Sequence, residues 1–270
     1  MYLCQKKYAL DIIEECGLLG SKPAPTPMEQ NHNLARNRSD YLTKPASYRR
    51  LVGRLVYLAV TRPEISYAVH TLAQFLQQPR TDHWEAALRL VRYLKGALGH
   101  GIFLSSSNDL HITAFCDSDW AACPLTRRSL TGYIVMLGGA IVSWKTKKQH
   151  TVSRSSAEAE YMAMAMTLSE LKWTKELLES FAVKQRAPMS LYCDSKAALH
   201  IAANPVFHER TKHIEPDCHF VRDAVQDCSI VTHHVKTTDQ LADILTKALP
   251  TGQFNYLLGK MGVRDLHAPP

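Results

Sequence analysis

A chain of 270 residues, 46% hydrophobic and 21% charged, suits one large domain or two modest ones and excludes collagen, low-complexity disorder and mini-protein scaffolds. Its longest nearly apolar run, Tyr133 to Trp144, is twelve residues broken by Gly138-Gly139, against about twenty for a bilayer span, so no transmembrane helix is expected. Seven cysteines without a Cys-x-x-Cys spacing predict thiols, Met1 to Lys7 lacks the order of a secretory signal, and the formal charge is +7, which together predict an intracellular chain with an anionic partner.

In chain order, residues 6–19 place Tyr8, Leu10, Ile12, Ile13, Cys16 and Leu19 at mostly helical spacing before Gly20, which predicts an N-terminal helix within 1–20. Residues 21–45, with Pro23, Pro25 and Pro27 and hardly an apolar anchor, predict an extended linker that buries no core. Helical patterns at Ser47–Val60, Pro63–Gln77 and Thr81–Leu98 predict a small helical module over 46–110.

From His111 the period changes to two. Residues 111–117, 132–137 and 140–145 read as strands, the last two joined as a hairpin at Gly138-Gly139. A long helix at Ser155–Phe181 follows. After it come a strand at Met189–Cys193, helices at Ser195–Ala203 and Asp217–Asp227, a strand at Ile230–Val235 and a helix at Asp239–Leu249. The order predicts an α/β domain over 111–250, a mixed five-stranded sheet with flanking helices, and a tail at 251–270.

Acidic residues fall at the ends of these elements. Asp117 closes the first strand of the sheet on the face of Thr113 and Phe115, and Asp119 shares that face if the strand continues, so spacing leaves the two open. Asp194 ends the fourth strand, again after a cysteine. Glu158 and Glu160 lie about 200° apart on the long helix, and Glu160 shares its stripe with Met164, Thr167 and Leu171. Asp239 suits a helix cap and Asp243, one turn inside on the same face, suits the working group, but spacing alone leaves the two open. Each acid alone reads as a cap or a surface charge. As a set at one sheet edge, four carboxylates need a neutralising cation, and oxygen ligands suit Mg²⁺ or Mn²⁺.

The window Trp120 to Ala157 has no Asp or Glu and holds Arg127, Arg128, Lys145, Lys147, Lys148 and Arg154, a field suited to a phosphate backbone or, more simply, to solvent. Zinc is disfavoured at His208, His213, Cys218 and His219 because the spacing fits no common finger. No Gly-x-Ser-x-Gly supports a serine nucleophile. Trp120 and Trp144 read as packing before they read as stacking platforms.

The series Phe115-Cys116-Asp117-Ser118-Asp119-Trp120, Arg127-Arg128-Ser129-Leu130-Thr131-Gly132-Tyr133, Ser153-Arg154-Ser155-Ser156-Ala157-Glu158-Ala159-Glu160-Tyr161, Leu191-Tyr192-Cys193-Asp194-Ser195, His208 to Ile214 and Asp239 to Lys247 resembles the ribonuclease H domain of copia-type retrotransposon Pol polyproteins. Further N-terminal, Lys7 to Asp11, Lys22 to Met28, Tyr48 to Gly53, Thr61 to Ile65 and Arg92 to Gly96 resemble the end of that polyprotein's reverse transcriptase, without its Tyr-x-Asp-Asp signature. Polymerase activity is therefore not expected, and 46–110 would be a connecting, thumb-like portion.

The resemblance implies a ribonuclease H-like fold, an endonuclease acting on the RNA strand of RNA–DNA hybrids, and two Mg²⁺ (or Mn²⁺) ions held by Asp117, Glu160, Asp194 and Asp243. It implies association with the rest of a retroelement polyprotein, and the short apolar runs predict no membrane partner. Leu125 stands where family members often have Asp, and Lys236-Thr237-Thr238 lacks the loop histidine of cellular enzymes. The alternative reading is an inactive retrotransposon remnant that retains nucleic-acid binding.

Overall fold

In the computed structural model, which describes residues 1–36, 39–106, 109–185, 187–204 and 215–266, the chain divides into two units. One comprises residues 1–104 with 247–270, the other residues 105–246. The motif at 208–214 lies outside the described residues.

In the first unit, β1 (Tyr2–Leu3) leads into α1 (Lys6–Glu15), α2 (Pro45–Leu58), α3 (Ser66–Ala73), α4 (Thr81–Gly96) and β2 (His100–Phe103). Pro45 opens α2, where its missing N–H and fixed φ cost nothing. The helices bury one stripe each: Ala9, Ile12 and Ile13 of α1, Leu51, Val52, Leu55 and Leu58 of α2, and Leu90, Val91 and Leu94 of α4. That is the spacing that predicted them. The expected linker at 21–45 is not an inert spacer. Thr26, Pro27, Met28 and Leu34 are buried, and the Ala24 amide donates to Arg92 O of α4 at 3.2 Å. Isolated anchors on an irregular backbone leave no periodicity to read.

The second unit is built on β3 (Ile112–Asp119), β4 (Leu130–Leu137) and β5 (Ala140–Lys148), then α5 (Ser156–Ser180), β6 (Met189–Cys193), α6 (Lys196–Ala203), α7 (Glu215–Gln226) and β7 (Ile230–His234). The strand order is β5-β4-β3-β6-β7. The β3–β4 and β4–β5 pairs are antiparallel, whereas β3–β6 and β6–β7 are parallel. Gly138 and Gly139, at φ +55° and +81°, form the two-residue hairpin turn that the right-handed strand twist favours. The face carrying Ile112, Ala114, Cys116, Tyr133, Val135, Leu191 and Cys193 packs with Tyr161, Met164, Leu168 and Leu171 of α5 and with α6 and α7 into one core. This mixed five-stranded sheet with flanking helices is the ribonuclease H-like arrangement that the resemblance implies.

Two expectations at the C-terminal end are corrected. The helix expected at Asp239–Leu249 is instead two 3₁₀ helices, Thr237–Asp239 and Leu241–Leu245. Tertiary anchors override the local period: Gln240 Nε2 donates to Cys116 O at 2.9 Å and Thr146 Oγ1 donates to Leu245 O at 2.8 Å. The cap is Gln240, whose Oε1 accepts from the Ala242 amide at 3.2 Å, rather than Asp239. Nor is 251–270 only a tail. It forms α8 (Thr251–Lys260) and β8 (Val263–Asp265), with Phe254, Leu257 and Leu258 buried, and β8 completes a three-stranded sheet with β1 and β2.

Candidate active site

Asp117 sits near the end of β3, 1% exposed, opposite Gly132 of β4, which in turn pairs with Thr146 of β5. The second 3₁₀ helix crosses this row. A Cβ on Gly132 would lie 2.7 Å from Thr246 Cγ2 and 2.9 Å from Leu245 Cβ, so glycine is what allows the segment to approach the sheet. The approach brings the Thr246 hydroxyl to donate to Asp117 Oδ2 and carries Asp243, also buried, onto the same part of the sheet.

Glu160 comes from the second turn of α5. Ser155 caps that helix by accepting the Glu158 amide at 3.2 Å, and Glu158 Oε2 accepts the Arg154 amide at 2.8 Å. Glu158 is therefore spent on the helix start, which leaves Glu160 as the acid aimed at the sheet edge. Its Oε1 accepts the Ser118 amide at 3.3 Å, and its Oε2 lies 3.9 Å from Cys193 Sγ. Asp194 follows β6 directly and accepts the Thr237 hydroxyl at 2.8 Å.

Ligand atoms of Glu160, Cys193 and Asp194 lie within 4.8 Å of one another, the group of metal-ligand type among the described residues. Burial pushes the Glu160 carboxyl up to about 10, with the charges of Asp117, Cys193 and Asp194 adding to the effect and the Ser118 amide opposing it. Glu160 and Asp194 are thus brought together with Cys193, while Asp117 acts on Glu160 through its charge without belonging to the 4.8 Å group. Asp119 is half-buried at the end of β3, and Asp243 is not within the 4.8 Å group. The donor chemistry fits a divalent cation, since neighbouring carboxylates, one of them forced toward neutrality, are the oxygen ligands such an ion takes.

The basic residues do not form one surface. Arg127 and Arg128 are exposed in the β3–β4 loop, which folds back on itself as the Arg127 amide donates to Cys123 O at 2.8 Å and the Cys123 amide to Arg128 O at 3.2 Å. Lys148 joins them by donating to Cys123 Sγ at 3.0 Å. Burial raises the Cys123 thiol, but hydrogen bonds from Thr126 and Lys148 outweigh it and leave the thiol at about 7. Lys145 and Lys147 alternate with Thr146 and Lys148 and so project from the other face of β5. Arg154 is exposed before α5, and Trp120 is also exposed, its Nε1 donating to Ser153 O at 3.1 Å.

Sequence reasoning missed Cys193, Thr237 and Thr246 as neighbours of the acids. The cysteine before Asp194 was the visible signal. The threonines reach the acids through tertiary packing that spacing does not encode.

No family model matches the chain. The retrovirus-related Pol polyprotein from transposon RE2 of Arabidopsis thaliana is 44% identical over 270 residues, covering 100% of this chain and 18% of that protein. The Pol polyprotein from transposon TNT 1-94 of Nicotiana tabacum is 33% identical over 272 residues, 98% of this chain and 20% of that protein. The solved structure of LC11-RNase H1 from compost covers 55% of this chain and 99% of its own at 16% identity, with a TM-score of 0.39; the fold rests on the strand order and pairing above, not on that likeness. The chain spans 18–20% of the length of these polyprotein relatives, and it belongs to the family of copia-type, retrovirus-related transposon Pol polyproteins.

Proposed function

We propose that residues 105–246 form a metal-dependent endonuclease that cleaves the RNA strand of RNA–DNA hybrids. The observation that carries the reading is the grouping of Glu160, Cys193 and Asp194 within 4.8 Å, with Glu160 driven toward neutrality by burial and by the charges of Asp117, Cys193 and Asp194. Asp117, Glu160, Asp194 and Asp243 would hold Mg²⁺ or Mn²⁺. When bound, a pair of such ions supplies activation of water and neutralisation of charge at the scissile phosphate.

The chain's own side chains prepare that centre. Thr246 fixes one oxygen of Asp117 and Thr237 one oxygen of Asp194, which orients both carboxylates. The Ser118 amide holds Glu160 Oε1, and the proton on Glu160 must leave as the site fills. Arg127 and Arg128 would contact phosphates of the hybrid without reading sequence. The first unit belongs in this proposal to the connecting, thumb-like portion beside a polymerase, and seven thiols suit a reducing, intracellular setting.

The test is Asp194→Asn, which removes ligand charge and keeps shape. Hybrid cleavage is expected to be lost while the melting curve stays close to the parent's. Equal cleavage by variant and parent would overturn the assignment, and binding without cleavage by the parent itself would favour an inactive remnant.

A further inference from the structure

Gln149, the residue after β5, is 2% exposed and bonds with every polar atom of its side chain. Nε2 lies 2.9 Å from Ala159 O, 3.0 Å from Thr131 Oγ1 and 3.3 Å from Ser118 Oγ. Oε1 accepts the Ser153 hydroxyl at 2.8 Å, and the main-chain amide donates to Ser129 O at 2.9 Å. One uncharged side chain thus ties together the ends of β3, β4 and β5 and the first turn of α5.

Two of these partners matter for the acids. Ser118 directly follows Asp117, and Ala159 directly precedes Glu160. The Gln149 amide bridges the residue beside one acid to the residue beside the other, in parallel with the Ser118 N–H bond to Glu160 Oε1. Acids carried on two separate elements keep a fixed separation only where those elements are tied together. A buried amide with both ends satisfied is a stiff clamp, because releasing it would strand polar groups away from water.

We propose that Gln149 is a positioning residue that sets the separation of Asp117 and Glu160, and so determines the affinity of the centre for its divalent ion. It touches neither ion nor substrate and acts through Ser118 and Ala159. The inference rests on the proposed metal-dependent function, and it deepens that reading by adding a residue outside the ligand set. Outer partners that orient metal ligands cost roughly 10–100-fold in affinity when removed.

The experiment measures Mg²⁺ binding to the full chain by calorimetry, alongside the Mg²⁺ concentration that gives half-maximal hybrid cleavage. Gln149→Met keeps the length and bulk and deletes the amide. Its Mg²⁺ dissociation constant and half-maximal Mg²⁺ concentration are expected to rise together by about tenfold or more, with a smaller change in the rate at saturating metal. Thr131→Val, which removes a partner attached to neither acid, is expected to leave the affinity near the parent's, as is Val135→Ala, a core truncation that lowers stability without touching the clamp. If Gln149→Met fails to fold, Ser118→Ala cuts the clamp on the Asp117 side and is expected to weaken Mg²⁺ binding in the same direction.

Parent-like affinity in Gln149→Met, or in Ser118→Ala where that variant stands in, would overturn the positioning role. So would weakening of the same size in Val135→Ala, since that would reduce the effect to lost stability. A parent that neither binds Mg²⁺ nor cleaves would instead take down the proposed function and this inference with it.

Discussion

Glu160 makes the residue scale testable without any substrate. Its carboxyl is raised from 4.5 to about 10, first by burial and then by Asp117, Cys193 and Asp194. The folded chain therefore keeps a proton that the unfolded chain has lost above 4.5, so the contribution to stability is complete below 4.5 and disappears as pH rises toward 10. In metal-free buffer the melting temperature of the parent is expected to fall across that window more steeply than that of Glu160→Gln, which has no charge to develop. Thermal melts at several pH values check this, and parallel profiles would contradict it.

Glu160 was also the most legible of the acids. Helical period set it on the inward stripe, and the structure gives Glu158 a separate duty at the helix start. Asp117 and Asp119 were indistinguishable from spacing because period two puts both on one face. Burial separates them, and burial depends on what the 3₁₀ segment covers. Gln149 was invisible for a related reason: an isolated polar residue at a strand end reads as surface until its four partners from other elements are known.

At the scale of elements, Gly132 allows the Leu241–Leu245 segment to lie on the sheet. In Gly132→Ala the new methyl would press on Thr246 Cγ2 at 2.7 Å and Leu245 Cβ at 2.9 Å, with backbone O of Ala242 also close. The expected cost is about 1–3 kcal/mol in chemical denaturation, with weaker hybrid cleavage because the Thr246–Asp117 bond shifts. Unchanged stability would show that the segment is not held against β4 as described.

The five strands and α5 were readable because alternation and helical stripes report one-sided burial directly. The segment after β7 was misread as a regular helix because its geometry is imposed from outside, by Gln240 on Cys116 O and Thr146 on Leu245 O. The short strands β1, β2 and β8 were missed altogether. Strands of two to four residues are too brief to show a period, and their pairing joins segments far apart in the chain.

For the whole molecule, charge and acid placement divide the labour. The first 110 residues hold 14 basic against 9 acidic residues, and the stretch from Trp120 to Ala157 holds no acid at all. In the second unit Glu160, Cys193 and Asp194 group within 4.8 Å, while Arg127, Arg128 and Lys148 gather around the β3–β4 loop, and the proposed function assigns the first to a cation and the second to a polyanion. No helix among the described residues is long and apolar enough to cross a membrane. The most direct measurement is cleavage by the full chain of an RNA–DNA hybrid labelled on either strand, with Mg²⁺ and then with excess chelator. The account requires shortening of the RNA strand alone, only with the metal present; cleavage of the DNA strand, cleavage that survives chelation, or an intact RNA strand at saturating Mg²⁺ would contradict it.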